Sequence, residues 1–192
     1  LTSLSFKMQK SPKIIKKKKI YKNIYELNVN YKLNKKSKYI KENFIFNGNS
    51  VSAICYNAEE KVFYFIRQCR PNYHYNNFSS YPLEIVAGGI NNKESSRQAA
   101  LREIKEELGV KPITLQKLDS LIIAPDCLEE ITDIYFAKVP KITKFEIVNY
   151  KEGELIKIIP MKKKEVLKLA KSNKTQNIVT KYAFMKICEL KI

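Results

Sequence analysis

A chain of 192 residues, 44% of them hydrophobic, is long enough for one domain with a buried core and too apolar for wholesale disorder. It has no long uncharged apolar stretch, which excludes a membrane-spanning helix. The net charge of +17 is uneven: residues 1–50 hold thirteen lysines against Glu26 and Glu42, a net +11, leaving +6 for the remainder.

Residues 1–23 read as a basic, mobile segment preceding a domain at 24–192. The run Lys16-Lys17-Lys18-Lys19 suits nucleic acid or an anionic membrane surface. Lysine and asparagine are abundant throughout, however, as expected of an A/T-rich coding sequence, and nucleic acid is not the favoured partner. A basic surface also steers an anionic nucleotide toward its site, an attraction that salt weakens.

Tyr25, Leu27, Val29, Tyr31 and Leu33 alternate with polar residues and predict a strand exposed on one side. Asn47-Gly48-Asn49 is a turn separating Phe44-Ile45-Phe46 from the run at 51–56, so an antiparallel N-terminal sheet is expected. A strand at 62–68 leads to a long loop at 71–81 rich in Asn and Tyr. There Tyr73, Tyr75 and Phe78 fit loop packing better than base stacking, and His74 is given no catalytic duty. Leu83-Glu84-Ile85-Val86-Ala87 then delivers the chain to Gly88.

Beyond Gly88 a helix is expected, with Ser95 or Ser96 as its start signal and Gly109 as its stop. At about 100° per residue, Ala100, Leu101, Ile104 and Leu108 gather on one side, and Glu103, Glu106 and Glu107 gather around Ala99 on the other. Three carboxylates on one stripe repel, and a hard divalent cation such as Mg²⁺ compensates them. A solvated acidic face is the plainer reading of the three glutamates alone.

Later strands are expected at 115–123, 131–139 and 155–159, with a loop at 124–130. Helical composition follows at 162–171 and 175–190, where Ile178, Ala183, Ile187 and Leu190 suit an inward face. Strands on both sides of a central helix indicate an α/β sandwich. Cys55, Cys69, Cys127 and Cys188 lack paired metal-ligand spacing and read as reduced thiols. No apolar signal core follows Leu1, so a cytoplasmic location is expected, with an organelle-targeting segment upstream left open.

From Gly88 the chain runs through five residues to Glu94, then seven more to Arg102-Glu103-Ile104-Lys105-Glu106-Glu107-Leu108-Gly109-Val110. This resembles the Nudix box at every defined position. The resemblance implies an α/β/α sandwich with a mixed sheet and an additional N-terminal antiparallel sheet. It implies hydrolysis of a nucleoside diphosphate linked to another moiety, with Mg²⁺ or Mn²⁺, two or more ions per site. By position Glu103 and Glu107 are the expected metal ligands, joined by Glu106 and the Ala87 carbonyl. Arg102 resembles the arginine that orients the carboxylates, and Glu94 the glutamate that braces the loop.

The flanking segments resemble the ADP-ribose and nucleoside diphosphate sugar pyrophosphatases. Arg67-Gln68-Cys69-Arg70-Pro71 is similar to their strand end, and Leu83 through Gly89 to their approach to the turn, with Val86 in place of proline or cysteine. Ala124-Pro125-Asp126-Cys127-Leu128-Glu129-Glu130 is similar to their catalytic loop, with Asp126 in place of glycine. Register from Tyr135 puts Glu130 at the loop glutamate that assists water or metal, with Glu129 the alternative. Arg70 and Arg67 are expected to hold phosphate, and Glu84 to be either a buried arginine partner or a group behind the metal ligands. Glu152-Gly153-Glu154 resembles the segment before the last strand. Related enzymes are commonly homodimers that exchange N-terminal strands, so residues 24–46 are candidate dimerising strands. A Nudix hydrolase of dinucleoside polyphosphates or capped RNA, and a non-catalytic RNA-binding module of the same fold, are the alternatives.

Overall fold

The runs Ser50–Asn57 and Val62–Arg67 carry apolar side chains on consecutive residues, and both are buried along almost their full length. Strands of that kind need cover on both faces. A computed structural model, describing residues 13–33, 36–149, 154–172 and 174–191, shows what supplies it. The chain divides into two units, one of Leu1–Asn47 with Ala124–Glu130, the other of Gly48–Ile123 with Ile131–Ile192.

In the first unit, β1 (Lys13–Tyr21), β2 (Ile24–Leu33) and β3 (Lys36–Ile45) form an antiparallel sheet in that order. The N-terminal sheet is thus present, but β1 lies inside the segment expected to be mobile. It pairs from Lys13↔Asn30 to Tyr21↔Ile24 while every one of its residues remains exposed. Lys17 stands 4.7 Å from the Tyr25 ring centroid and 5.1 and 4.8 Å from those of Phe44 and Phe46, so three aromatic faces receive one ammonium. Residues 124–130 join this unit through Ile45 N–H to Cys127 O (2.8 Å) and Glu129 N–H to Ile45 O (3.0 Å).

The second unit contains β4 (Ser50–Asn57), β5 (Val62–Arg67), α1 (Pro71–Tyr75), β6 (Leu83–Glu84), β7 (Val86–Gly89) and α2 (Ser96–Leu108). Then come β8 (Thr114–Ile122), β9 (Ile131–Lys138), β10 (Glu146–Asn149), β11 (Glu154–Lys162), α3 (Lys163–Ala170) and α4 (Ile178–Glu189). The main sheet runs β10-β11-β5-β4-β9-β8, with β6 on β5 and β7 on β4. It is mixed, because β4 and β9 are parallel and the other pairs antiparallel. The 51–56 run therefore belongs to this sheet and not to the N-terminal one.

Alternation along β4 and β5 sends side chains to two cores. Ala53, Cys55, Tyr64 and Ile66 meet Ala99, Ala100, Ile104 and Leu108 of α2. Ile54, Tyr56, Phe63 and Phe65 meet Val166 of α3 and Ala183, Phe184 and Ile187 of α4. Each such large side chain contributes about 1.5–3 kcal/mol when fully buried. Helices on both faces make the expected α/β/α sandwich.

Several local expectations change. Part of the 71–81 loop is the short helix α1, in which Pro71 supplies a starting φ, and β10 was not anticipated. In α4, Ile178 is 59% exposed because it opens the first turn, and Thr180 and Phe184 take inward places. Glu152 and Gly153 lie outside the described residues. No helix among the described residues is long and apolar enough to cross a membrane.

Candidate active site

The helix that carries the acidic stripe is fixed at both ends by local hydrogen bonds. Ser95 caps it: its hydroxyl accepts from Gln98 N–H, and the Gln98 side chain accepts from Ser95 N–H at 2.9 Å. Such a cap contributes about 1 kcal/mol. Gly109 ends it at φ 72°, in the left-handed region that costs other residues about 1–2 kcal/mol.

The two faces are not arranged as the spacing suggested. Ala99, Ala100, Glu103, Ile104, Glu107 and Leu108 are all buried, while Leu101 is 38% exposed. On the helical wheel Ala99, Glu103 and Glu107 span about 0–80° and Ala100, Ile104 and Leu108 about 100–180°, so the acidic and apolar arcs adjoin. One broad buried half therefore contains both, and Glu103 and Glu107 go under with the core residues.

Arg102 organises the outer carboxylates. Its Nε donates to Glu94 Oε1 (3.0 Å), Nη2 to Glu94 Oε2 (3.0 Å) and Gly89 O (2.7 Å), and Nη1 to Glu103 Oε1 (2.6 Å) and Glu106 Oε2 (2.9 Å). All five guanidinium N–H groups are thereby used. Glu94 also accepts from Asn91 N–H at 3.0 Å, tying the loop before α2 to the helix. Hydrogen bonding from Arg102 holds the Glu94 carboxyl below its ordinary value.

Behind them the chain of β7 runs past α2. Ala87 N–H donates to Glu107 Oε2 at 3.2 Å, and the position a Cβ would take on Gly88 is 1.9 Å from Glu103 Oε1. Burial pushes the Glu107 carboxyl well up, and the neighbouring Glu103 charge adds to it, against the Ala87 N–H and the Arg70 charge. Burial likewise pushes up the Cys55 thiol, with the Glu107 charge adding to it.

Five carboxylates, Glu84, Glu94, Glu103, Glu106 and Glu107, thus share two guanidiniums, Arg70 and Arg102. In a protein of net charge +17 this is a local acidic surplus. The donors are hard oxygens of the kind Mg²⁺ and Mn²⁺ take. Among the described residues, however, no three His, Cys, Asp or Glu side chains converge as metal donors. Arg102 draws Glu103 Oε1 and the half-exposed Glu106 toward itself. The donor chemistry fits a divalent cation; its convergence requires those two carboxylates to turn from Arg102.

Glu84 is the buried partner of an arginine: its Oε2 accepts from Arg70 Nε (3.1 Å) and Nη2 (3.0 Å). Arg67 is not brought to this group. It pairs with Leu83 of β6, whose side chain joins the core under α3 and α4, and Arg67 Nη1 donates to Tyr81 O. Asn177 was missed from the sequence, although its amide reaches Glu84 Oε1 at 3.2 Å. Only its place just before a helical run marks it as a cap. Tyr73 and Phe78 pack edge to face at 6.4 Å and Tyr75 is 88% exposed, in keeping with loop packing.

The NUDIX domain model matches residues 47–180. The chain belongs to the Nudix family. A crystal structure of an ADP compounds hydrolase is similar to this Nudix chain at TM-score 0.71 and 18% identity, over 95% of each chain. At that identity the likeness is one of fold. No curated protein matches. The Nudix box is the segment from Gly88 to Val110, and the geometry above is its interior. Of the loop glutamates, Glu129 lies 3.7 Å from Lys17 and is half exposed, whereas Glu130 is partly buried; both belong to the first unit.

Proposed function

We propose that this Nudix hydrolase cleaves the pyrophosphate bond of ADP-ribose or another nucleoside diphosphate sugar, giving a nucleoside monophosphate and a sugar phosphate. The observation that carries the reading is the acidic surplus of the group formed by the box and its flank, the five carboxylates of Glu84, Glu94, Glu103, Glu106 and Glu107 around the two guanidiniums of Arg70 and Arg102, with Glu103 and Glu107 buried. Such a cluster suits divalent cations and a polyanionic diphosphate bridged by them. ADP-ribose-type substrates are favoured by the flanking segments at Arg70 and at Ala124–Glu130, and the similar solved structure is that of an ADP compounds hydrolase.

Glu103 and Glu107 would hold Mg²⁺ or Mn²⁺, with Glu106 and the Ala87 carbonyl completing the set. A bound ion masks diphosphate charge and lowers the pKa of water. Arg70 offers N–H donors to a phosphate oxygen. Glu130 accepts the proton of the attacking water or holds that water in place. Arg102 and Glu94 keep the box loop and helix in register. Arg67, directed to the other face of the sheet, keeps at most a peripheral part in substrate binding. We also propose that strands within residues 24–46 join two copies as a homodimer, which light scattering at monomeric mass would refute.

A panel of ADP-ribose, ADP-glucose, UDP-glucose, diadenosine polyphosphates and capped RNA, assayed with Mg²⁺ and with product analysis, tests the substrate class. Cleavage of ADP-ribose to AMP and ribose phosphate is expected. Untouched nucleotide sugars beside cleaved capped RNA would replace this reading with the capped-RNA alternative.

A further inference from the structure

The C-terminal helix begins at the carboxylate group described above. Its N-cap residue, Asn177, uses both ends of its amide. Oδ1 accepts from Thr180 N–H at 2.9 Å, closing the first turn, and Nδ2 donates to Glu84 Oε1 at 3.2 Å. The amide orientation follows from its neighbours, since the Thr180 N–H needs an acceptor and the Glu84 oxygen a donor.

Holding Oε1 has a consequence at Oε2. A guanidinium fork meeting an unencumbered carboxylate spreads its two N–H groups over both oxygens. Here Nε and Nη2 of Arg70 both rest on Oε2, while the amide holds the other oxygen. Nη1 of Arg70 makes no hydrogen bond to protein among the described residues, and the Arg70 side chain is 36% exposed against 7% for that of Glu84. Tyr73 stands beside the same group: burial and the Glu84 charge push its phenol up.

We infer that Asn177 is a positioning residue, which pins Glu84 so that the plane of Arg70 is set and Nη1 is aimed at the substrate diphosphate. The aim at substrate rests on the proposed function; the setting of Arg70 does not. The relation joins the start of α4 to the site across 93 residues of sequence.

Asn177→Ser and Asn177→Asp keep a capping oxygen and lose the amide donor, whereas Asn177→Ala loses both. In the full chain, the ¹⁵N–¹H signal of Arg70 Nε, the melting temperature and steady-state kinetics on ADP-ribose are compared. Expected for the Ser variant is a melting temperature close to wild type and for the Asp variant a lower one, since its carboxylate meets that of Glu84, with a shifted or broadened Arg70 Nε–H signal in both. KM should rise about tenfold with kcat changed less than about twofold, the signature of lost binding shared by ground and transition states. An Arg70 signal unchanged in both capped variants would make Asn177 a helix cap alone and overturn the inference. An altered signal with unchanged KM would overturn the aim at substrate. An altered signal in a protein whose wild type leaves every nucleotide sugar intact would uphold the positioning of Arg70 while the proposed function fails.

Discussion

Gly88 and Glu103 occupy each other's space so closely that a methyl group on Gly88 would lie 1.9 Å from Glu103 Oε1 and 2.1 Å from its carboxyl carbon. The close approach of backbone to carboxylate means that a side chain at this position must displace the Glu103 carboxylate. In Gly88→Ala the carboxylate must leave its seat against β7. A displacement of that size costs on the order of a hundredfold in turnover when the group positions a reacting centre. Calorimetric titration with Mg²⁺ should show weakened uptake alongside the lost rate.

Glu107 is buried beside Glu103 with one backbone N–H for support. Glu107→Gln keeps the shape, removes the crowded charge and deprives a cation of a ligand. Hydrolysis should fall on the order of a hundredfold, as when a charge-stabilising group is lost from an active site. The metal-free melting temperature should hold or rise. A clear drop in metal-free stability would show that the charge itself supports the fold.

Glu94 behaves in the opposite way, because Arg102 favours its ionised form. A carboxyl whose folded pKa is depressed contributes stability that is present above its unfolded value and lost as pH falls through the folded value. Glu94→Gln should therefore be less stable than wild type near neutral pH by about 1.5 kcal/mol, the scale of a hydrogen bond to a charged group. The gap should close as acid protonates wild-type Glu94 below its ordinary value of 4.5. Denaturant unfolding across that pH range reads the difference directly, and a gap that persists in acid would rule out the Arg102 pair as its source.

Register from Tyr135 makes Glu130 the loop glutamate expected to act on water, and Glu129 lies 3.7 Å from Lys17. Glu130→Gln should lower kcat more than it raises KM, and Glu129→Gln should change little. A larger loss from Glu129→Gln would move the loop register by one.

Local features were legible in the sequence because their causes are local. Ser95 and Gly109 bound α2 through hydrogen bonds and backbone geometry within a few residues, and the 3.6-residue period placed Glu103, Glu106 and Glu107 together. The fixed offsets from Gly88 to Val110 carried the family, and the structure ties that segment together through Arg102, Glu94 and Gly89. The same period failed to show that the acidic and apolar arcs would both be buried, since a helical wheel does not say how much of its rim another layer covers.

Meetings of residues far apart in the chain came from the folded arrangement alone. β4 lies parallel to β9, pairing Ser50 with Thr132, and the face of the sheet on which Arg67 sits is set by its pairing with Leu83. Asn177 reaches Glu84 only because α4 returns across the sheet, and neither residue's neighbours in sequence predict it. Composition and periodicity fix what each segment presents along its own axis. Which presented groups come within 3 Å depends on chain reversals and strand order, which are settled by burying all the apolar faces at once.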